Sequence, residues 1–205
     1  MAWRAILLTL LAWLALTSSA SAQLLQFERY AAQCNDVDGA YTADESINAC
    51  TQIIRSDYAV GHALAATYNT RAIRYLQKHD DARALSDFSA AIRYSPHYAQ
   101  AFLNRAALYL VRRDYARAIA DYDEAIVILP DHPDPYSARC WARALSGADF
   151  DQARADCDRA LALNPHSQSA FDSRGFLNLR QSRVAEAFSD YDAAVQIDPS
   201  NAHAR

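Results

Sequence analysis

Only 4 of the 205 residues are glycine, and Lys78 is the one lysine. Scarce glycine with abundant alanine favours helix, because glycine costs about 1 kcal/mol relative to alanine in a helix interior. It also leaves no phosphate-cradling glycine loop. Cys-x-x-Cys, His-Glu-x-x-His and haem-attachment sequences are missing too, which removes the common metal and redox constellations. His79, His97, His132 and His166 stand in or beside turn segments, where a solvated imidazole explains them better than a metal ligand does. No catalytic residue, metal or cofactor is therefore expected, and the chain does not read as an enzyme. No cluster of lysine and arginine offers a footprint for nucleic acid, and the formal net charge is −4.

Long apolar runs are absent as well. The longest, Ala5 to Leu16, is too short to span a bilayer, which takes about 20 residues. It follows Arg4 and precedes Ser18-Ser19-Ala20-Ser21-Ala22, so residues 1–22 read as a secretory signal peptide cut before Gln23. Loss of Arg4, the one charged residue of that segment, takes the formal charge from −4 to −5. An exported, periplasmic or secreted protein with no integral membrane segment after processing is expected. No cysteine follows the small residues, which argues against a lipoprotein.

What the chain does have is a period. Pro96, Pro130, Pro165 and Pro199 lie 34, 35 and 34 residues apart. With each proline at position 32 of its unit, and one extra residue allowed in the 35-residue third unit, position 4 is aromatic: Tyr68, Phe102, Tyr136 and Phe171. Position 8 is small: Ala72, Ala106, Cys140 and Gly175. Position 20 is Ala84, Ala118, Ala153 and Ala187, and position 27 is Ala91, Ala125, Ala160 and Ala194. Position 24 is Phe88, Tyr122, Cys157 and Tyr191. Small residues let two antiparallel helices approach closely, aromatic ones fill the wedge between successive hairpins, and proline closes each unit. The pattern resembles the tetratricopeptide repeat family over about residues 63–199. That resemblance implies an all-α fold, a right-handed solenoid of stacked helix hairpins. Four full repeats are expected at about 65–98, 99–132, 133–167 and 168–201, within 63–205.

The cysteines fit the same register. Cys140 and Cys157 occupy positions 8 and 24 of the third unit. Aligning Ser46–Cys50 with Ala118–Tyr122 puts Cys50 at position 24 and Cys34 at position 8 of an upstream unit. Each could serve simply as a small core residue. Side chains at these positions lean toward each other across a hairpin, and in an oxidising compartment two disulfides are expected. Residues 23–62 then form a degenerate hairpin that caps the repeats, with a polar turn over 35–43. Asp80, Asp114 and Asp149 are expected to cap the second helices.

Position 7, usually leucine in the family, is Arg71, Arg105, Arg139 and Arg174. Position 23 is Asp87, Asp121, Asp156 and Asp190. Unlike charges recurring together suggest structural ion pairs, either within or between units.

The family resemblance implies a binding scaffold that holds a peptide or protein partner in a concave groove lined by the first helices. Helical projection places Asn69, Ile73, Gln100, Leu103, Asn104, Trp141, Asp172 and Phe176 in that groove, with Leu76, Ala107, Leu110, Ser137, Leu145 and Leu179 beside them. Chaperone-binding members of the family clamp a terminal carboxylate with lysines, asparagines and arginine. Only Asn104 matches here, and the lysine places hold Asn69 and Asp134. The alternative to groove binding is a structural subunit, including a homo-oligomer, assembled through convex or terminal faces.

Overall fold

The computed structural model describes residues 23–36, 38–56 and 58–198. The expected signal segment and the last repeat proline, Pro199, lie outside them. The described residues are all-α, with ten helices and no strand. The chain divides into two compact units, one ending at Ser95 and the other beginning at Pro96.

In the first unit, α1 (23–35) and α2 (Ala43–Arg55) form one hairpin, and α3 (Gly61–Gln77) and α4 (Asp81–Tyr94) form the next. Thr42 starts α2 with a capping box: its hydroxyl accepts from the Glu45 N–H, and the Thr42 N–H donates back to Glu45 Oε2 at 2.8 Å. Cys34 on α1 is bonded to Cys50 on α2. Around that bond Ala49, Ile53 and Ala59 form a small core, with Phe27, Tyr30 and Leu64 packed against it. In α3–α4, Ala72, Ala84, Ala91 and Phe88 are fully buried.

The second unit runs α5 (Ala99–Val111), α6 (Tyr115–Ile128), α7 (Pro133–Ser146), α8 (Phe150–Leu163), α9 (Gln168–Arg180) and α10 (Val184–Ile197). Each helix packs on the one after it, and α7 also packs directly on α9. The alanines at positions 20 and 27 have no exposed surface in any hairpin. A larger side chain there would overpack the helix contact, at a cost of about 1–3 kcal/mol. Asp80, Asp114 and Asp149 accept from the backbone N–H groups of Arg83, Arg117 and Gln152, so three of the second helices carry side-chain caps. The fourth, α10, starts at Arg183 without one.

The third repeat is one residue longer than the others, and the extra residue lengthens its first helix at the C-terminal end. Helix α7 has 14 residues where α5 and α9 have 13, and it ends on Gly147 in the left-handed conformation, φ 71°. First-helix positions of this unit therefore count from Pro133 and not back from Pro165. In the other three full repeats the left-handed residue comes one place later and is not glycine: His79, Arg113 and Ser182, at φ 57–60°. At each of them two N–H groups turn back to helix carbonyls, as with Arg113 to Leu110 and Asp114 to Tyr109, both at 2.9 Å.

Candidate functional site

The first helices of the third and fourth repeats, α7 and α9, carry a recess of the second unit. One cavity of about 470 Å³ is lined by Trp141, Ser169, Asp172, Ser173, Phe176 and Tyr191. A neighbouring one of about 460 Å³ is lined by Leu110, Tyr122, Asp134, Ser137, Ala138, Trp141, Ser169 and Ser173. Trp141 borders both. Its half-buried ring meets Phe176 with centroids 4.6 Å apart, so two aromatic side chains from adjacent repeats form one wall.

A row of serines stitches α7 to α9 beneath this wall. Ser137 Oγ donates to the Asp134 carbonyl and lies 3.2 Å from Ser169 Oγ, which in turn lies 3.2 Å from Ser167 Oγ. Ser173 Oγ donates to the Ser137 carbonyl at 3.2 Å. Farther along the same helices, Arg180 donates to the carbonyls of Ala144 and Leu145, which satisfies the C-terminal end of α7. Behind Phe176 lies the Cys140–Cys157 disulfide, in a core with Ala144, Ala153 and Leu177.

Positions 8 and 24 meet inside a hairpin in two ways. In α1–α2 and α5–α6 the two solutions differ: Cys34 bonds Cys50, whereas Ala106 and Tyr122 share a buried apolar cluster. Gly175 meets the ring of Tyr191. The covalent bond thus replaces a small residue seated against a ring.

Of the residues projected into a groove, Trp141, Asp172 and Phe176 line the recess, with Leu110 and Ser137 beside them. Leu103 packs against the Ala106–Tyr122 cluster, and Gln100 donates to Asn104 Oδ1 at 2.9 Å. In the first unit, Ile73 is exposed and Asn69 is buried. Projection of first-helix positions also missed Tyr122 and Tyr191. Both sit at position 24 of second helices, which the pattern assigned to hairpin packing. Gly175 was the available signal, since a glycine inside a helix marks the close approach of something large.

The position-7 arginines lie between rings and carboxylates. Each stands over the position-4 aromatic of its own helix: Arg71 over Tyr68, Arg105 over Phe102, Arg139 over Tyr136 and Arg174 over Phe171, at 5.5–5.9 Å. Each also grips the position-23 aspartate of its own repeat through two guanidinium nitrogens, for example Arg105 to Asp121 at 2.7 and 2.8 Å. The other pairs are Arg71–Asp87, Arg139–Asp156 and Arg174–Asp190. A further nitrogen reaches position 25 of the preceding hairpin: Arg71 to Thr51 at 2.9 Å, Arg139 to Asp123 at 2.6 Å and Arg174 to Asp158 at 2.9 Å. The charges therefore pair both within and between hairpins. The hydrogen bond to Asp121 holds the Arg105 guanidinium above its ordinary pKa against the opposing effect of burial.

Burial, with a smaller contribution from Asp121, pushes the Tyr122 phenol up to about 12. Tyr191 is raised by burial first and then by the charges of Asp172 and Asp190. Among the described residues there is no group of histidine, cysteine, aspartate and glutamate that could hold a metal ion. No helix among them is long and apolar enough to cross a membrane.

The sequence profile of the tetratricopeptide repeat matches residues 69–133 and 143–202, together more than half of the chain. The chain belongs to the tetratricopeptide repeat family. Solved structures agree on the fold. A tetratricopeptide repeat protein from Parabacteroides merdae superposes with a TM-score of 0.74 at 16% identity, covering 86% of this chain and 68% of that one. The protein MamA from Desulfovibrio magneticus, residues 41 to its end, gives 0.71 at 15%, covering 86% and 97%. A double mutant of MamA RS-1 gives 0.70 at 14%, covering 85% and 96%. At these identities the likeness is one of fold. No curated protein sequence matches the chain.

Proposed function

We propose that this tetratricopeptide repeat protein is a non-enzymatic scaffold of the cell envelope that holds a peptide or protein partner in the groove of its repeats. The observation that carries this reading is the Trp141–Phe176 wall. Two large aromatic side chains stand half-buried between adjacent first helices, over a recess of several hundred Å³. Tryptophan in a partly desolvated recess is a common energetic anchor at interfaces, and the serines below can meet a peptide backbone. Both disulfides suit an oxidising compartment, in keeping with export after loss of residues 1–22.

Capture from envelope extract on immobilised 23–205 tests the reading, with wild type and Trp141→Ala compared. A partner held by wild type and lost from a Trp141→Ala protein of unchanged melting temperature supports it. Equal capture by both proteins rejects the groove. So does a fall in folding stability of about 3–5 kcal/mol, which would make Trp141 a core residue.

A second reading is assembly through a terminal face. Val184 and Phe188 lie one turn apart on α10 and are 66% and 74% exposed. Sedimentation across a wide concentration range tests it, because self-association through this face should vanish in Phe188→Ser.

A further inference from the structure

We infer that the recess takes an arginine side chain presented by an extended segment of the partner, seated against Trp141 between Asp134 and Asp172. This rests on the peptide-binding reading above and gives it a chemistry.

The ionic groups lining the two cavities are carboxylates alone: Asp134 in one and Asp172 in the other. Among the described residues that line them there is no lysine, arginine or histidine. His132 stands beside Asp134, its Nδ1 3.7 Å from the carboxylate and 3.4 Å from the Asp134 backbone nitrogen, but it lines neither cavity. A recess with an aromatic wall, the half-buried carboxylate of Asp172 and the exposed carboxylate of Asp134 at its rim is complementary to a cation, and repels a terminal carboxylate or an acidic side chain.

The protein itself shows which cation suits such a wall. At Arg71, Arg105, Arg139 and Arg174 a guanidinium lies against a ring and forms two bonds to a carboxylate. In the recess this chain supplies the ring, Trp141, and the carboxylates, and the partner supplies the guanidinium. Arginine fits better than lysine because its planar group can stack on indole while its edges bind carboxylate. Tyr122 and Tyr191 add phenols at either end, and Phe176 offers an apolar rest for the neighbouring residue.

Trp141 is the one tryptophan after residue 22, so its emission reports on the recess directly. The test titrates 23–205 with three pools of short peptides, acetylated and amidated to remove terminal charge, with randomised uncharged flanks. The pools differ only in a fixed central arginine, citrulline or glutamate. The arginine pool is expected to change Trp141 emission saturably and to bind at least about tenfold more tightly than the citrulline pool. That difference should shrink in high salt and in Asp172→Asn and Asp134→Asn, whose melting temperatures serve as fold controls. Equal binding of the arginine and citrulline pools, or a preference for glutamate, overturns the proposal. Absence of binding by all three pools overturns it as well. If capture of the envelope partner still depends on Trp141 in that case, the groove stands and only the cation is rejected. If capture does not depend on Trp141, the groove reading falls too.

Discussion

Gly175 and Tyr191 fit against each other so closely that a Cβ on Gly175 would lie 3.0 Å from Cε1 of the tyrosine ring and 3.1 Å from Cζ. The ring has somewhere to go, because Tyr191 borders the recess. Two effects oppose each other in Gly175→Ala. Helix propensity favours alanine by about 1 kcal/mol, and the forced shift of the ring costs about as much or more. Stability measured by denaturant should stay within about 1 kcal/mol of wild type. Trp141 emission should change, as the displaced ring narrows the cavity. An unchanged emission spectrum with a large loss of stability would show that the ring cannot move.

The Arg105–Asp121 pair is two-bonded and half-buried, unlike the exposed turn pair Arg117–Asp114. A double-mutant cycle should give a coupling of about 1–3 kcal/mol for the first and a weaker one for the second. Asp121→Ala alone should destabilise more than the double variant, because it strands a guanidinium away from water. Partner capture should be unaffected by the double variant, since neither residue lines the recess.

Arg113 holds φ 60° at an exposed turn, where a Cβ is disfavoured. Arg113→Gly should raise stability by about 0.5–1 kcal/mol, measured as a shift of the denaturation midpoint. His79 and Ser182 offer independent repeats of the experiment. Gly147→Ala should do the reverse, being strained at φ 71° and brought 2.9 Å from Arg180 Nη2.

Tyr122 should make the fold sensitive to alkali. An unfolded phenol ionises near pH 10, and in the folded protein burial, aided by Asp121, moves that to about 12. Folding therefore favours the neutral phenol. Its contribution is complete below pH 10 and is lost as the pH climbs from 10 to 12, amounting to about 3 kcal/mol. Melting temperatures from pH 9 to 12 should fall less steeply in Tyr122→Phe. An identical slope in both proteins would show that the phenol titrates normally.

Phe176 rests on the core that contains Cys140–Cys157, so the bond and the recess are mechanically joined. The Cys140→Ala, Cys157→Ala double variant should lose about 3 kcal/mol on the chain-entropy account and alter Trp141 emission. Loss of stability without a spectral change would separate the two. Intact mass before and after reduction should show both bonds in the wild type.

Much of the fold could be read from the sequence because repeated units over-determine it. Ala84, Ala118, Ala153 and Ala187 must be small for one reason four times over, and the cysteine pairs take the register of the small residue and ring at positions 8 and 24. The recess was only half legible. Projection found Trp141, Asp172 and Phe176, since they recur on one face of a first helix. It could not place Tyr122 or Tyr191, whose exposure toward the cavity depends on what their neighbours leave unfilled. The burial of Asn69 was hidden for a similar reason: a helical position says which way a residue points, and the surrounding packing decides whether water reaches it.

The alternation of bonded and unbonded hairpins has a consequence for how the second unit comes apart. Repeat arrays open in segments, each held by its own contacts and those with its neighbours. The hairpin α9–α10 is closed by the seating of Tyr191 on Gly175, whereas α7–α8 is riveted covalently. Fraying that begins in α9–α10 can therefore run its course while α7–α8 stays folded behind a firebreak. Amide exchange would then fall into two classes with the disulfide at the divide.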